Sequence, residues 1–390
     1  MSKRPSLQAI SVTTPLSGTF EGHEDAILKS VASGISDTWQ LVEGDIIPVG
    51  RLIDEPLPLP ADLSIWDSRI NRMLDGLLRP LREEIDRLKD RWGAHRLGIV
   101  IGTTTSGIAD NEAAYAVRKA SGAWPDDFRY ARQELGDPAQ FLAMRAGITG
   151  PCYVVSTACS SGAKALISAA RLLQANLCDA VLCGGADTLC ALTLNGFGAL
   201  DAMSTRPCIP FSRNRDGISI GEGGALFLMD REEGALRLES WGENCDAYHF
   251  SAPDPSGGGA ALAIQAALDS AGLDPSAIGY VNLHGTGTKL NDEMEAGVMH
   301  RVLGADIPCS STKGMTGHML GAAGACEAAF VAMALLHGRL PPHLWDGDVD
   351  PELPRINLVE QAGQPSEARH MLTCSYAFGG NNCALILARE

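Results

Sequence analysis

The order of buried strands and helices constrains the fold of this 390-residue chain more than any other feature of its sequence. Short apolar runs such as LGIVIG (residues 97–102) and AVLCGG (residues 180–185) are typical of buried strands, and they alternate with segments of helical periodicity. After the charged segment DREEGA at residues 230–235, the same alternation begins again. Strands that alternate with helices predict α/β layers. Two rounds of this order predict a duplicated fold, with halves at residues 1–235 and 236–390.

Helical periodicity is clearest in three segments. Apolar residues recur on one face, between many charges, at residues 66–92, which predicts one or two exposed amphipathic helices. Residues 163–175 and 321–338 are rich in alanine and predict two more helices, the second long and buried. The C-terminal residues 370–389 predict a hairpin of two strands around a glycine turn.

Composition and charge exclude several classes of protein. The formal net charge of −16 argues against binding of nucleic acid or anionic membranes over the general surface. The eleven cysteines are scattered without C-x-x-C spacing, which disfavours zinc and thioredoxin-like sites. No apolar run approaches the roughly 20 residues of a membrane span, and the N-terminal residues lack the apolar stretch of a signal peptide. We therefore expect a cytoplasmic protein with no membrane span and no metal.

One cysteine lies where a predicted strand runs into a predicted helix. In VVSTACSSGAKAL (residues 154–166), Cys159 precedes the helix, whose N-terminal N–H groups and partial positive charge would stabilise a thiolate. Small neighbours leave room for a substrate, so we expect the Cys159 thiol to be both reachable and acidified. On position alone, a buried structural cysteine would be the simpler interpretation.

A second stretch, HGTGTKLND, begins at His284 directly after a predicted strand. Its hydroxyl groups at Thr286 and Thr288 suit hydrogen bonds to a linear amide ligand. If His284 stood alone, a satisfied core histidine would be the preferred interpretation.

A third stretch, residues 310–330, carries Lys313 and His318 in a glycine-rich loop and Glu327 in the apolar helix that follows. A lysine and a glutamate in apolar surroundings are costly unless they pair. The alternative, a solvated surface lysine, fits poorly with so many small residues around it.

The turn FGGNN, which begins at Phe378, can present backbone N–H groups as oxyanion donors, although a plain hairpin turn would need no function. Together the four stretches offer a thiol, two histidines, a lysine and a donor turn. This set suits acyl transfer to sulfur, followed by attack of a carbanion on the thioester.

The sequence resembles the β-ketoacyl-acyl carrier protein synthases, the elongating condensing enzymes of fatty acid and polyketide synthesis. The resemblance runs from about residue 66 to the C-terminus and rests on STACSSG, PFSRNRDGISIGEGG, HGTGT, STKGMTGHMLGAAGACEA and FGGNN. It implies a Cys-His-His active site and a duplicated, thiolase-like, five-layered α/β/α/β/α sandwich. It also implies a decarboxylative Claisen condensation of malonyl-acyl carrier protein with an enzyme-bound acyl chain.

The resemblance implies a role for each catalytic residue. Cys159 would be the nucleophile, and its backbone N–H and that of Phe378 would form the oxyanion hole. His284 and His318 would bind the malonyl thioester carbonyl and stabilise the enolate. Lys313 would maintain the electrostatics and the histidine geometry, and Glu327 would pair with it.

The resemblance also implies how the substrate binds. Thr286 and Thr288 would hold the phosphopantetheine arm, and Phe378 would act as a gate. Ile218 replaces a frequent phenylalanine near the active site, and Ala377 replaces the usual glycine before the gate, so both are departures that bear on chain selectivity. No cofactor is expected, because the phosphopantetheine arrives on the carrier protein. The first 60 or so residues match the family only loosely.

The expected partners are an acyl carrier protein and a second subunit, in a homodimer or in a heterodimer with a chain-length-factor-like protein. Carrier proteins are strongly acidic, so this acidic chain needs a local basic entrance. Arg69, Arg72 and Arg206 are the candidates for docking, although exposed arginines often only solvate a face.

Three alternatives stay open at the level of sequence. The chain could be the ketosynthase subunit of a type II polyketide or polyene system, acting with a chain-length factor. It could be a non-catalytic partner subunit, but such subunits typically lack the cysteine. A thiolase that uses free coenzyme A is disfavoured by the single matching nucleophile and the HGTGT loop.

Overall fold

The computed structural model describes residues 4–29 and 32–390. The long strands of the sheet are mostly apolar and buried on both faces, as expected for a sheet covered on both sides. The strands are β1 (Ser6–Thr13), β2 (Asp37–Gln40), β3 (Ile46–Val49), β4 (Leu97–Gly102), β5 (Cys152–Val155), β6 (Ala180–Asp187), β7 (Gly223–Asp230), β8 (Leu236–Cys245), β9 (Ile278–Asn282), β10 (Pro308–Ser310), β11 (Arg339–Leu340), β12 (Asn357–Leu358), β13 (Gln364–Pro365), β14 (His370–Ala377) and β15 (Asn381–Arg389).

The helices lie between these strands, and several end at a glycine in the left-handed conformation. They are α1 (Phe20–His23), α2 (Arg69–Leu78), α3 (Arg82–Trp92), α4 (Ile108–Ser121), α5 (Asp137–Ala146), α6 (Ser161–Gln174), α7 (Ala191–Gly198), α8 (Gly258–Ala271), α9 (Lys289–Val302), α10 (Lys313–Thr316) and α11 (Ala323–His337). Short 3₁₀ and π segments add single turns, among them Arg79–Leu81 and Leu320–Ala322.

Eleven strands of the described chain form one sheet in the order β12-β10-β9-β14-β15-β8-β1-β7-β6-β4-β5. Apart from the short edge strand β12, each half contributes five strands. From the outer edge to the centre, the N-terminal half reads β5-β4-β6-β7-β1 and the C-terminal half reads β10-β9-β14-β15-β8. Counted within each half, both orders are third, second, fourth, fifth and first strand, with the same parallel and antiparallel pairings. This repetition confirms the predicted duplicated fold.

Helices α6 and α11 pack against each other between the two halves of the sheet. Helices α2 and α5 cover the outer face of the N-terminal half, and α8 and α9 cover that of the C-terminal half. The result is the predicted α/β/α/β/α order of layers. The largest apolar core surrounds the central pair of helices and includes Leu166, Phe227 and Phe330.

The central position of α11 explains why its sequence is apolar over a greater length than expected. Leu320–His337 is 18 residues long with a mean hydropathy of 1.5, which in length and composition alone would suit a membrane span. The expectation that no apolar run approaches such a length was therefore wrong. About 89% of this segment is buried inside the protein, so its composition follows from packing on every side.

Most predicted elements are confirmed. The strand at residues 97–102 and the C-terminal hairpin lie where predicted, and residues 66–92 form the two helices α2 and α3. Near the N-terminus, where the family resemblance was weakest, β1 pairs with β7 along its length and lies at the centre of the sheet. The boundary between residues 235 and 236 as a limit between domains stays a prediction.

Candidate active site

Cys159 lies in a tight turn between strand β5 and helix α6. The residue before it, Ala158, adopts a left-handed conformation with φ of +51°, which costs energy for a residue with a side chain. Ser161 stabilises this turn, because its hydroxyl donates to the Ala158 carbonyl oxygen (2.6 Å) and accepts from the N–H of Thr157 (2.8 Å). The turn therefore holds Cys159 just ahead of the N-terminus of α6.

The Cys159 sulfur contacts groups from the other half of the molecule. Its Sγ atom lies 3.0 Å from Nε2 of His318, and the backbone N–H of Phe378 also faces it. Burial raises the pKa of the thiol to about 12, although the charge of Lys313 and the Phe378 N–H act in the opposite direction. The predicted acidification is therefore wrong for the resting thiol, because loss of hydration outweighs the nearby positive charge and hydrogen-bond donors.

His284 follows strand β9 and is held by its backbone. The N–H groups of His284 and Gly285 both donate to the carboxylate of Glu295, at 2.7 and 2.6 Å. The His284 ring is 5.3 Å from that of His318, edge to face. Burial and the charge of Lys313 lower the pKa of both rings well below the usual value for histidine. Both imidazoles are therefore neutral at physiological pH.

Lys313 and Glu327 form the predicted pair, and both side chains are about 1% exposed. The Lys313 ammonium donates to Oε1 of Glu327 and to the carbonyl oxygen of His284 (2.5 Å), and it lies 3.5 Å from Nδ1 of His284. An ammonium can only donate, so Nδ1 of His284 is the acceptor and its ring hydrogen lies on Nε2. Burial raises the pKa of Glu327, while Lys313 lowers it.

Sequence analysis missed two buried carboxylates that organise the site. Asp187 lies at the end of β6. Its carboxylate accepts hydrogen bonds from the hydroxyl of Thr103, from the N–H groups of Thr104 and Thr105, and from the N–H of Gly321 (2.6 Å). Glu295 binds the loop that carries His284, and burial raises its pKa to about 8. An acidic residue at the end of an apolar run such as AVLCGGAD is a signal that could have identified Asp187.

Several of the predicted site residues line one cavity of about 490 Å³. Its lining includes Cys159, both histidines, Thr286, Thr288, Ile218 and Phe378. The two threonine hydroxyls lie 3.0 Å apart. The Phe378 ring is tilted against that of Phe197, with 5.4 Å between ring centres. The cavity thus makes the buried thiol reachable, as predicted.

The three arginines predicted for docking lie outside this cavity and differ from one another. Arg69 donates to the buried carboxylate of Glu222 and to Glu55, and its side chain is only 19% exposed. Arg72 pairs with Asp67 through two hydrogen bonds. Both arginines are therefore paired rather than free: Glu222 lies 153 residues from Arg69, whereas Asp67 lies only five residues before Arg72. Their part in docking stays a prediction. The Arg206 side chain is 48% exposed and lies 3.9 Å from Asp216.

A duplicated α/β sandwich that brings a cysteine and two neutral histidines into one cavity, with a buried lysine against one of the histidines, defines a condensing enzyme of the thiolase-like class. The sequence matches the family descriptions "Beta-ketoacyl synthase, N-terminal domain" over residues 84–235 and "Beta-ketoacyl synthase, C-terminal domain" over residues 236–345. The chain belongs to the β-ketoacyl synthase family, and it is a condensing acyltransferase of fatty acid or polyketide biosynthesis.

Similar proteins come from both pathways. The ketoacyl synthase alpha subunit of the tetracenomycin polyketide synthase of Streptomyces glaucescens is 34% identical over 319 residues, 75% of each chain. The 3-oxoacyl-[acyl-carrier-protein] synthase 2 of Vibrio cholerae is 34% identical over 322 residues, 76% of each chain. Among solved structures, a ketosynthase in complex with its chain length factor from Xenorhabdus doucetiae is 39% identical with a TM-score of 0.94, covering 100% of this chain and 98% of that one.

Proposed function

We propose that this protein is an elongating β-ketoacyl-acyl carrier protein synthase that holds an acyl chain on Cys159 and extends it by two carbons. The observation that carries this proposal is the contact between Cys159 Sγ and His318 Nε2 (3.0 Å), with the His284 ring 5.3 Å from that of His318. A sulfur nucleophile and two neutral imidazoles in one cavity suit both half-reactions.

In the first half-reaction, Cys159 attacks the thioester of an acyl-carrier protein. The Sγ–C bond forms, and the bond from the acyl carbon to the carrier sulfur breaks. We propose that His318 Nε2 accepts the thiol proton and returns it to the departing carrier thiolate, so that proton and charge balance. This transfer allows a thiol with a raised pKa to react, because the thiolate forms only as the sulfur attacks the substrate. The N–H groups of Cys159 and Phe378 would bind the oxyanion.

In the second half-reaction, the C–C bond to the malonyl carboxylate breaks and carbon dioxide leaves. The electron pair enters the thioester enolate, whose oxygen accepts from Nε2–H of His284 and of His318. Nδ1 of His318 has no hydrogen-bond partner among the described residues, so its neutral ring can carry the hydrogen on Nε2 once the sulfur is acylated. The enolate carbon then attacks the acyl carbon, the bond from that carbon to Sγ breaks, and Cys159 leaves as thiolate. It takes one proton from solvent, because its original proton left with the carrier thiol of the first half-reaction.

Lys313 keeps His284 in the state that this step needs. Its ammonium blocks protonation of Nδ1 and fixes the hydrogen on Nε2, where the enolate oxygen gains charge. Glu327 neutralises the ammonium at a distance from the reacting atoms. We propose that these two residues set the electrostatics and do not exchange protons with the substrate.

The rest of the cavity suits a narrow amide-bearing arm. We propose that Thr286 and Thr288 bind phosphopantetheine, that Phe378 gates the thiol, and that Ile218 borders the acyl chain. All four residues line the cavity. In this proposal the enzyme needs no metal or cofactor of its own, because the phosphopantetheine belongs to the carrier protein.

We propose an acyl carrier protein and a chain-length-factor-like subunit as the partners, in the cytoplasm. The support for the heterodimer is the 39% identical ketosynthase solved in complex with its chain length factor. The homodimer is the alternative. A non-catalytic subunit is disfavoured, because Cys159 and both histidines share one cavity. Arg206, the most exposed of the three candidate arginines, is our preferred carrier contact.

The test is intact-mass analysis after incubation with acetyl-, butyryl- and octanoyl-acyl carrier protein, alone and with a co-expressed partner subunit, followed by malonyl-acyl carrier protein. We expect an acyl adduct on the wild-type chain, no adduct on the Cys159→Ala variant, and a β-ketoacyl-carrier product two carbons longer. Absence of any adduct under all conditions, or an equal adduct on Cys159→Ala, would contradict the proposal.

A further inference from the structure

His343 is a buried histidine, 2% exposed, that takes no part in the proposed chemistry. It lies after strand β11 in the segment LPPHL, and both ring nitrogens have a hydrogen-bond partner. The N–H of Ser311 donates to Nδ1 (3.1 Å), and Nε2 lies 2.9 Å from the carbonyl oxygen of Pro210. Because Nδ1 accepts, the ring hydrogen is on Nε2 and is donated to Pro210.

Ser311 transmits this contact to the active site. Its hydroxyl donates to the carbonyl oxygen of Gly285 (2.7 Å) and accepts from the N–H of Lys313 (3.2 Å). The Lys313 ammonium in turn donates to the carbonyl oxygen of His284. The serine that His343 holds therefore joins the loop of Lys313 to the loop of His284.

The second contact of His343 fixes a neighbouring segment. Pro210 precedes Phe211, whose N–H donates to Asp292 (2.7 Å), and the same carboxylate accepts from the N–H of Gly287 (3.2 Å). Gly287 lies in the loop that follows His284. The His343 ring thus bridges two segments that both lead to the environment of His284.

His318 is anchored in a different way. Its N–H donates to the carbonyl oxygen of Ser219 (2.7 Å), and its own carbonyl oxygen accepts from Gly221 (3.0 Å). Neither bond involves His343 or Ser311. Loss of the His343 ring should therefore displace Lys313 and His284 more than Cys159 and His318.

We propose that His343 is a positioning residue for malonyl decarboxylation, acting through Ser311 on Lys313 and His284. This inference rests on the proposed function. It predicts that His343 variants lose the second half-reaction selectively, whereas a general loss of folding would slow both half-reactions together.

The chain offers informative variants and a matched control. Asparagine can place an amide oxygen near the position of Nδ1, so His343→Asn retains the acceptor for Ser311. His343→Gln reaches the position of Nε2 and retains only the contact to Pro210. The control is His23→Asn, which removes another buried histidine with bonds at both nitrogens, to Thr14 and Thr19.

The experiment measures two rates on each full-length variant: acylation of Cys159 by octanoyl-acyl carrier protein, and release of carbon dioxide when the acyl-enzyme meets malonyl-acyl carrier protein. For His343→Ala and His343→Gln we expect carbon dioxide release to fall about 10-fold, with acylation within about twofold of wild type. We expect His343→Asn to recover most of the loss and His23→Asn to change neither rate.

Equal carbon dioxide release by wild type and His343→Gln, or an equal fall of both rates in the His343 variants, would overturn the inference. If His343→Ala does not fold, the comparison of His343→Asn with His343→Gln decides in the same way. If wild type forms no adduct with any carrier substrate, the proposed function itself fails, and this result is distinct from a selective loss.

Discussion

The two halves of the molecule place equivalent elements around the active site but connect them differently. In the N-terminal half, the third strand, β5, reaches α6 through residues 156–160. In the C-terminal half, the third strand, β10, reaches α11 through residues 311–322, more than twice as many. The short connection fixes one sulfur atom on a strained turn. The long connection places His318 against that sulfur and Lys313 against His284.

The two central helices also differ between the halves, in how completely they are buried. Helix α11 is buried from Ala323 to Leu335, whereas α6 exposes Arg171 and Gln174. In the proposed mechanism, the C-terminal half thus provides the enclosed, low-dielectric part of the site, and the N-terminal half provides the nucleophile. In this mechanism the two halves share one topology, and each carries a different part of the reaction. Substitutions in each half should therefore have different effects on activity and stability.

The largest effect should come from removing the contribution of the N-terminal half. Cys159→Ala removes the sulfur that lies 3.0 Å from Nε2 of His318, so condensation should fall by more than about 10³-fold. Carbon dioxide release from malonyl-acyl carrier protein should persist within about tenfold, with the enolate taking a proton to give the acetyl-carrier. The check is radiolabelled carbon dioxide release beside product mass. Loss of both activities together would show that the halves do not divide the chemistry.

The next effect concerns the buried ion pair of the C-terminal half. Lys313→Met leaves Glu327 buried without its partner, so the free energy of unfolding should fall by about 3–5 kcal/mol. Lys313→Met combined with Glu327→Leu should regain much of that stability but not the activity. Chemical denaturation and turnover measure the two effects.

The matched control for this pair is Arg87→Met, which breaks an exposed ion pair with Glu84 and should cost less than about 1 kcal/mol. Equal losses of stability for Lys313→Met and Arg87→Met would contradict the account of the buried pair.

A smaller effect should come from the contact between the central helices. A methyl group added at Gly162 would lie 2.9 Å from the Ala325 nitrogen, and one added at Gly324 would lie 2.8 Å from the Ala163 Cβ. Either alanine variant should separate α6 from α11, cost about 1–3 kcal/mol, and slow condensation. Gly297→Ala in α9 is the control, because a methyl group there meets nothing within 4 Å. Destabilisation of all three variants by the same amount would refute this explanation.

The alternation of strands and helices predicted α/β layers and a duplication, and the family resemblance implied the five-layered order and the candidate reacting residues. Apolar strands followed by small-residue turns made Cys159 and His284 candidates, but only their combination with the other motifs favoured a catalytic interpretation. Asp187 and His343 were missed, because they bind backbone groups 134 and 32 residues away. Glu295 was missed because only the folded loop brings the N–H of Gly285, ten residues before it, onto its carboxylate. The ion pair of Arg69 was not apparent for the same reason, since its partner Glu222 is 153 residues away. The raised thiol pKa also depends on burial, which a local pattern does not reveal.

The smallest effect compares one buried histidine from each half. Burial lowers the pKa of His23 and of His343 to about 4, below the usual value of about 6.5. Between these values the unfolded chain binds more protons, so each ring makes the free energy of unfolding fall as the pH decreases. From pH 7 to 5.5 the fall should be about 1 kcal/mol per ring. Denaturation curves of His23→Asn and His343→Asn should each show a shallower pH dependence, and slopes parallel to wild type would contradict this.

The division of chemistry between the two halves is tested most directly by His284→Ala in single-turnover reactions. The variant should form the octanoyl adduct on Cys159 at a rate within about tenfold of wild type, while carbon dioxide release from malonyl-acyl carrier protein falls at least about 100-fold. Loss of the adduct together with decarboxylation, or decarboxylation at the wild-type rate, would contradict the account.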